Sequence, residues 1–416
     1  MVKEGKKAVV PKLRFPGFRD AWDKKALAPY LEECGSRVPA TTSLPIYSSS
    51  RSGLTPQASY YDGRTIINDG EYGVVPPNCF VYRHMSDDGQ FAFNVNETGG
   101  EIAVSKEYPV FRTINLDSRF LRAKLNHSQD FKAFALSQKA GGTRTRLYFS
   151  KLGSWETYLP SLVEQQKIAD CLSSLDELIA SQGRKVEALK TYKRGLMQQL
   201  FPREGETLPR LRFPEFRDAP EWEEQTLRSI CIRIMDGTHF SPKSKEGPRP
   251  YLTSKNIRNG HIDLSTISYI SEDEHREIYT RCPVKKDDIL LTKDGANTGN
   301  CAINTLDFEF SLLSSVAVLR GDAALVKQNF LYQTITSERT QSNIINSMSG
   351  QAITRITLEK LGNFVVSLPN LAEQQRIAQF LSFFDTQIMA EADKFAALNL
   401  QKKGLLQQLF PSMGEA

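Results

Sequence analysis

The chain has 416 residues, 40% hydrophobic and 24% charged, and its 53 Lys and Arg against 48 Asp and Glu leave a formal charge of +5. That length supports two or three separate cores, and the small basic excess allows nucleic acid as a partner while excluding a protein that binds by charge alone. No run of about eighteen apolar residues exists to cross a membrane, the opening MVKEGKKAVVPK lacks a signal peptide's apolar stretch, and six scattered cysteines form no C-x-x-C pair, so a soluble cytoplasmic protein with reduced thiols is expected.

In chain order, the first distinctive string is PKLRFPGFRDAW from Pro11. Region 23–158 follows, rich in Tyr, Phe, Gly and Asn, with Glu71–Val75 and Cys79–Tyr82 reading as strands bounded by turns. Its loops gather groups suited to base edges and phosphates: Ser49, Ser50 and Arg51, then Gln57, Tyr60, Tyr61 and Arg64, and later Arg144 and Arg146.

A long helix starts after Leu159-Pro160. Ser161 can cap it, and Glu164 stands at the capping-box position. Ile168, Leu172, Leu175, Ile179, Val186, Leu189, Leu196 and Leu200 keep a 4-3 spacing, broken only by Gln182 and Lys193, and Phe201-Pro202 ends the run. About forty residues at ~1.5 Å each predict a rod of roughly 60 Å, too long for one domain's core helix.

The chain then repeats its grammar. PRLRFPEFRDAPEW from Pro209 restates the first string, and region 223–367 offers strands at Ile289–Thr292 and Ser315–Leu319 and a helix near 326–336. Its polar loops contribute Thr238, His239, Lys243 and Lys245; Lys255, Asn256, Arg258 and Asn259; and Lys293, Asn297 and Arg355. Arg and Lys suit guanine, Asn and Gln suit adenine, and glycine lets backbone approach phosphate. A second heptad helix, capped by Asn370, carries Ile377, Leu381, Phe384, Ile388, Phe395, Leu398, Leu405 and Leu409, with Glu391 and Lys402 as its interruptions.

Shifting the chain by 209 positions lays Gly141–Pro202 on Gly350–Pro411 without a gap, with roughly half of the residues identical. LPSLVEQQKIADCL from Leu159 meets LPNLAEQQRIAQFL from Leu368. The order is A-B-C-A′-B′-C′, and only B and B′ are unlike. The two helices are expected to pair antiparallel, giving a pseudo-twofold molecule, whereas an ordinary duplication would pack each helix on its own domain.

Signs of catalysis are missing from the sequence. Val75-Pro-Pro-Asn78 has its amide on the wrong side for an adenine methyltransferase tetrad, and no G-x-x-x-x-G-K-[ST] or G-x-S-x-G string occurs. The five histidines show no metal-ligand spacing. No catalytic, metal or cofactor residue is assigned.

Two copies of Leu-Pro-x-Leu-x-Glu-Gln-Gln-Lys/Arg-Ile-Ala, each opening a long helix after a variable region that ends in a Lys-Leu-Gly strand, resemble the specificity subunit of type I restriction-modification systems. The resemblance implies two copies of an α/β (α+β) target-recognition domain, residues 1–159 and 203–368, joined by two long antiparallel coiled-coil helices in 160–202 and 369–416. It implies a non-catalytic DNA reader of an asymmetric bipartite site. Partners would be double-stranded DNA, two modification subunits docked on the helices and two restriction subunits, with S-adenosylmethionine, ATP and Mg held by those partners. A protein-binding scaffold and a fused methyltransferase are the rival readings. If the helices act as a ruler, deleting one heptad from both should change the gap between half-sites mapped by adenine methylation, and an unchanged gap rejects the ruler.

Overall fold

The computed structural model describes residues 10–62, 70–139, 144–348 and 355–410. The chain divides into two compact units, Met1–Gln182 with Lys394–Ala416, and Gly183–Asp393. Both divisions fall inside the long helices rather than at their starts, because each unit's core takes residues from both helices.

In the first unit a four-stranded antiparallel sheet runs in the order Leu31–Glu33, Val110–Thr113, Phe80–Tyr82, Phe93–Val95. The expected strand at Glu71–Val75 forms at those bounds, in a three-stranded sheet between Ile102–Ser105 and Ser36–Pro39. Helices Ser118–His127 and Gln129–Ser137 are capped by the side chains of Asp117 and Ser128. Aromatic residues dominate the core: Phe80 stacks on Phe111 at 4.8 Å, and Trp22, Phe93, Phe120 and Trp155 surround them. Lys124 is fully buried among these rings, its Nζ 3.0 Å from Asp130 and 5.5 to 5.9 Å from the ring centres of Trp22, Trp155 and Phe410.

The second unit repeats this plan on different residues. Its four-stranded antiparallel sheet runs Cys231–Asp236, Val316–Gly321, Ile289–Thr292, Cys301–Ile303. Helices Gln328–Thr336 and Glu338–Asn346 follow, the first inside the expected span. The strand pairing is repeated even where the sequences are unlike. Phe80 lies opposite Val95 and Ile289 opposite Ile303, the partner strand falling one position short of the 209 shift, while the shift is kept where the Leu147 amide donates to the His84 carbonyl at 2.8 Å and the Ile356 amide to the Lys293 carbonyl at 2.9 Å. A layer of apolar residues at matching positions suffices to keep the plan.

One expectation is corrected here. Lys-Leu-Gly is not a strand: Phe149–Gly153 and Leu358–Gly362 are short helices, and the strands come after them at Glu156–Leu159 and Val365–Leu368. Thr357 caps the second by accepting the Lys360 amide, and Leu152 and Leu361 bury the inward face. Gly153 and Gly362 approach Ala28 and Arg228 too closely for a larger residue to fit without displacement.

The long helices span Leu162–Leu200 and Leu371–Leu409. Within the first unit, Ile168, Ala169 and Leu172 near the start of one helix share a core with Leu406, Leu409 and Phe410 at the end of the other. Within the second, Ile377, Ala378 and Leu381 meet Met197 and Leu200 in the same way. Each unit therefore contains an antiparallel helix pair. Leu175, Ile179, Leu398 and Leu405 in the first unit, and Leu189, Leu196, Phe384 and Ile388 in the second, are half-buried along these pairs. The polar steps in the heptads are matched: Lys402 pairs with Asp176, Lys193 lies 2.6 Å from Asp385, and Glu391 lies 3.0 Å from Lys185.

The helix starts are held from outside the helices. Ser161 and Asn370 accept the amides of Glu164 and Glu373 at 3.3 and 3.0 Å, as expected of caps. The glutamate side chains, however, do not turn back to close a capping box. Glu164 takes a bidentate pair of hydrogen bonds from Arg14 at 2.7 and 2.8 Å, and Glu373 the same from Arg212 at 2.8 and 2.7 Å. The residue before each arginine reaches the end of the other helix, Leu13 N to Gln408 O at 3.1 Å and Leu211 N to Gln199 O at 2.9 Å. The adjacent glutamines, Gln165 and Gln374, accept the amides of Asp117 and Lys327, which immediately precede the helices Ser118–His127 and Gln328–Thr336. Replacing Arg212 by Ala strands a carboxylate whose side chain is 1% exposed, and a cost of ~3–5 kcal/mol in urea unfolding is expected. A loss below ~1 kcal/mol would reduce the pair to a surface contact.

Candidate nucleic-acid interface

In the first unit the hairpin Tyr47–Ser50/Gly53–Pro56 carries Ser49, Ser50 and Arg51 to the rim of a cleft of about 520 Å³. Tyr60 and Arg144 line the same cleft, so five of the residues singled out in the sequence come together. Arg144 is held by Asp87 at 2.8 Å and Arg51 by Asp88. The Arg51 guanidinium, with the Gln90 amide and the Ser86 hydroxyl, brings Asp88 down to about 2, so it stays ionised. Ser49 is not free to read a base: it is 4% exposed, and its hydroxyl accepts from Asn94 at 2.8 Å and lies 3.5 Å from the Val81 carbonyl it donates to. Gln57 starts the short helix Gln57–Tyr60, and Tyr61 meets Tyr60 edge to face at 4.8 Å without lining the cleft. Arg146 stands exposed on the strand Thr145–Arg146, while Arg64 lies outside the described residues.

In the second unit Asp236 ends a strand and gathers the cations around it. Lys293 Nζ lies 3.1 Å and His239 Nε2 3.5 Å from its carboxylate, and Arg355 reaches His239 Nδ1 at 3.3 Å. Gly237 makes this turn possible, since a Cβ there would sit 1.9 Å from the Leu312 carbonyl oxygen. The Thr238 amide donates to that oxygen at 2.8 Å, fixing the turn against the sheet. Asn297 donates to the Ser254 carbonyl at 3.4 Å, which brings the 293–299 loop beside the turn bearing Lys255. Lys243 and Lys245 are exposed on a separate loop, anchored where Glu274 accepts the Lys243 and Ser244 amides.

Three sequence-derived candidates take other roles. Asn256 is 2% exposed and committed to its own turn, accepting the Thr253 amide and donating to the Asp263 carbonyl. Lys293 is 1% exposed and neutralises Asp236 rather than facing a ligand. Asn259 lines a separate groove of about 1110 Å³ beside the helix residues Lys190 and Arg194. Arg258 remains at the surface, 3.6 Å from Asp263. Residues that sequence reasoning passed over include Arg83, which lines the first cleft, and Asp87 and Asp88, which orient its cations as Asp236 does those of the second unit. The alternation of Arg83 with Asp87 and Asp88 along one short segment was the available signal.

Chemically, these clusters offer oriented cations rather than nucleophiles. Burial pushes the thiols of Cys79, Cys231 and Cys282 up to about 12, so they stay protonated. Among the described residues no group of three or more His, Cys, Asp or Glu is placed to hold a metal, and no helix is long and apolar enough to cross a membrane.

The family model for the type I restriction modification DNA specificity domain matches residues 81–191 and 220–400, the later part of the first variable region, the whole of the second and most of both helices. The chain belongs to this family. Its resemblance in sequence is therefore a membership, and it is similar to the specificity subunit of the type I restriction enzyme MjaVIII from Methanocaldococcus jannaschii, with 26% identity over 257 residues. That match covers 60% of this chain and 60% of the relative's length. The fold is that of a solved S subunit of a type I restriction-modification system from M. genitalium, with a TM-score of 0.60 and 16% identity over 97% of this chain and all of the other. A chain from a study of complex assembly and conformational transition of the type I system gives a TM-score of 0.53 at 16% identity, covering 94% of this chain and 98% of that one. The two-domain α/β plan with long antiparallel helices is thus the family's.

The two kinds of cation in the site separate on truncation. Arg51→Ala or Arg144→Ala breaks an exposed pair, with an expected loss below ~1 kcal/mol. Lys293→Ala leaves the Asp236 carboxylate, 11% exposed, with only the more distant His239 ring as a cation among the described residues, and an expected loss of ~3–5 kcal/mol. Thermal unfolding measures both, and the opposite order would exchange their roles.

Proposed function

We propose that the chain is the DNA-reading, non-catalytic subunit of a type I restriction-modification complex and that each unit reads one half of an asymmetric bipartite site. The observation that carries this is the contrast between constant and variable parts. Two units share one sheet plan and one helix clasp, yet present different side chains on their loops: Arg51, Tyr60 and Arg144 in the first, His239 and Lys255 in the second. Unlike readers on like scaffolds select unlike half-sites.

Each half-site contact discriminates by ~1–3 kcal/mol per base pair, so one unit alone is a poor reader of a genome, and two joined readers multiply their selectivity. The helices also serve the partners. Gln166 and Gln198 of the first helix, and Gln375 and Gln407 of the second, are identical across the repeat and all exposed, as a surface binding one kind of modification subunit twice would be. Val163, Leu178 and Leu400 in the first unit, and Tyr192, Phe383 and Met389 in the second, are apolar and exposed on the helices, which fits protein partners. S-adenosylmethionine, ATP and Mg belong to those partner subunits, including the restriction subunits, and the isolated chain binds DNA weakly and with strong salt dependence.

Exchanging residues 223–367 for the corresponding region of a relative with another target tests the assignment. In the complex formed with its modification subunits, the mapped methylation site should keep one half and change the other. A site altered in both halves, or in neither, would sink the reading.

A further inference from the structure

We infer that Arg146 and Arg355 are a matched pair of DNA phosphate contacts, one in each unit, which position the duplex without reading its sequence. The inference rests on the DNA-reading function proposed above and assigns a role within it.

The two arginines are equivalent by structure as well as by sequence. Thr145–Arg146 pairs antiparallel with Met85–Ser86, placing Arg146 opposite Met85, and Arg355 forms an antiparallel bridge with Asp294. Met85 and Asp294 are themselves 209 positions apart, as are the arginines. In both units the next residue is buried, Leu147 in one and Ile356 in the other, and its amide bonds to the carbonyl of His84 or Lys293. The strand is thus anchored by neighbours of the arginine, and the alternation of side chains turns the arginine outward. Arg146 is exposed, and Arg355 is half-buried with its guanidinium 3.3 Å from the His239 ring.

Among the described residues neither arginine is paired with a carboxylate, in contrast to Arg51 and Arg144 close by, which are held by Asp88 and Asp87. The surrounding loops differ between the units: Met85, Ser86 and Tyr148 flank Arg146, whereas Asp294, Gly295 and Thr357 occupy the matching places. A side chain kept identical amid such change cannot distinguish two half-sites that differ. What any two half-sites share is the sugar-phosphate backbone, and a free guanidinium suits a phosphodiester.

The test uses the complex co-expressed with its modification subunits, with Arg146→Gln, Arg355→Gln, the double variant and the corresponding Lys variants. Two duplexes are compared across salt concentrations, one carrying the sequence found methylated in cells and one with that sequence scrambled. Each Gln substitution should reduce the slope of log affinity against log salt by about 0.9, weaken both duplexes by the same factor and leave the methylated sequence unchanged, and Lys should restore the slope. An unchanged slope overturns the assignment, as does a loss confined to the methylated sequence, which would make the arginine a base reader. Retention of neither duplex by the unsubstituted complex would instead remove the DNA-reading function beneath it.

Discussion

In each unit one arginine from outside the long helices joins the start of one helix to the end of the other. Arg14 and Arg212 chelate Glu164 and Glu373 through two hydrogen bonds each, while the preceding leucine amides bond to the last turn of the opposite helix. A helix start leaves four amides without intrahelical partners, and a buried carboxylate without a partner costs several kcal/mol. The arginine string therefore cannot vary unless the glutamate varies with it. This explains why two short blocks separated by about 150 residues of unlike sequence are both repeated: they are the two sides of one contact. The neighbouring glutamine extends the constraint, since Gln165 and Gln374 receive the amides just before the helices Ser118–His127 and Gln328–Thr336.

Within that frame the variable regions are free in a particular way. A sheet of fixed strand order needs apolar residues of about the right size, not particular ones. Phe80, Val81 and Tyr82 give way to Ile289, Leu290 and Leu291, which pair antiparallel with the equivalent strand, Cys301–Ile303 in place of Phe93–Val95. The aromatic core of the first unit and the aliphatic sheet core of the second are two solutions to one packing problem. Loops leaving the same strand ends can then carry different chemistry, which is the property a modular reader of DNA requires.

The period of the hydrophobic pattern made the helices legible: a 4-3 spacing over five heptads has few other meanings. The caps at Ser161 and Asn370 and the strand at Ile289–Thr292 were equally local and equally readable. Long-range partners were not. Glu164 and Glu373 satisfy the capping-box pattern, but nothing local reveals an arginine 150 residues earlier that competes for the carboxylate. Lys-Leu-Gly reads as a strand until the Thr357 cap and the close approach at Gly362 are known. In the candidate site, exposed Arg51, Arg144 and Lys255 and buried Ser49, Asn256 and Lys293 are alike on the page as polar loop residues. Burial is a property of what the rest of the chain places over them.

The carboxylates beside the cations bear on specificity. Non-specific binding comes from releasing counterions as free positive groups meet phosphates, and it grows with the number of such groups. Here Arg51, Arg144 and Lys293 are already neutralised by Asp88, Asp87 and Asp236, and the formal charge of the chain is only +5. A paired guanidinium gains little from a passing phosphate, because the approaching anion is repelled by the carboxylate that holds the cation. It gains more from a base edge that accepts its remaining N–H donors, since an Arg keeps free donors after a carboxylate has taken one or two. Pairing thus lowers affinity for all DNA more than affinity for the right sequence. On the proposed reading, discrimination is built by suppressing the charge that would bind everything, with unpaired Arg146 and Arg355 supplying a small constant attraction to the backbone.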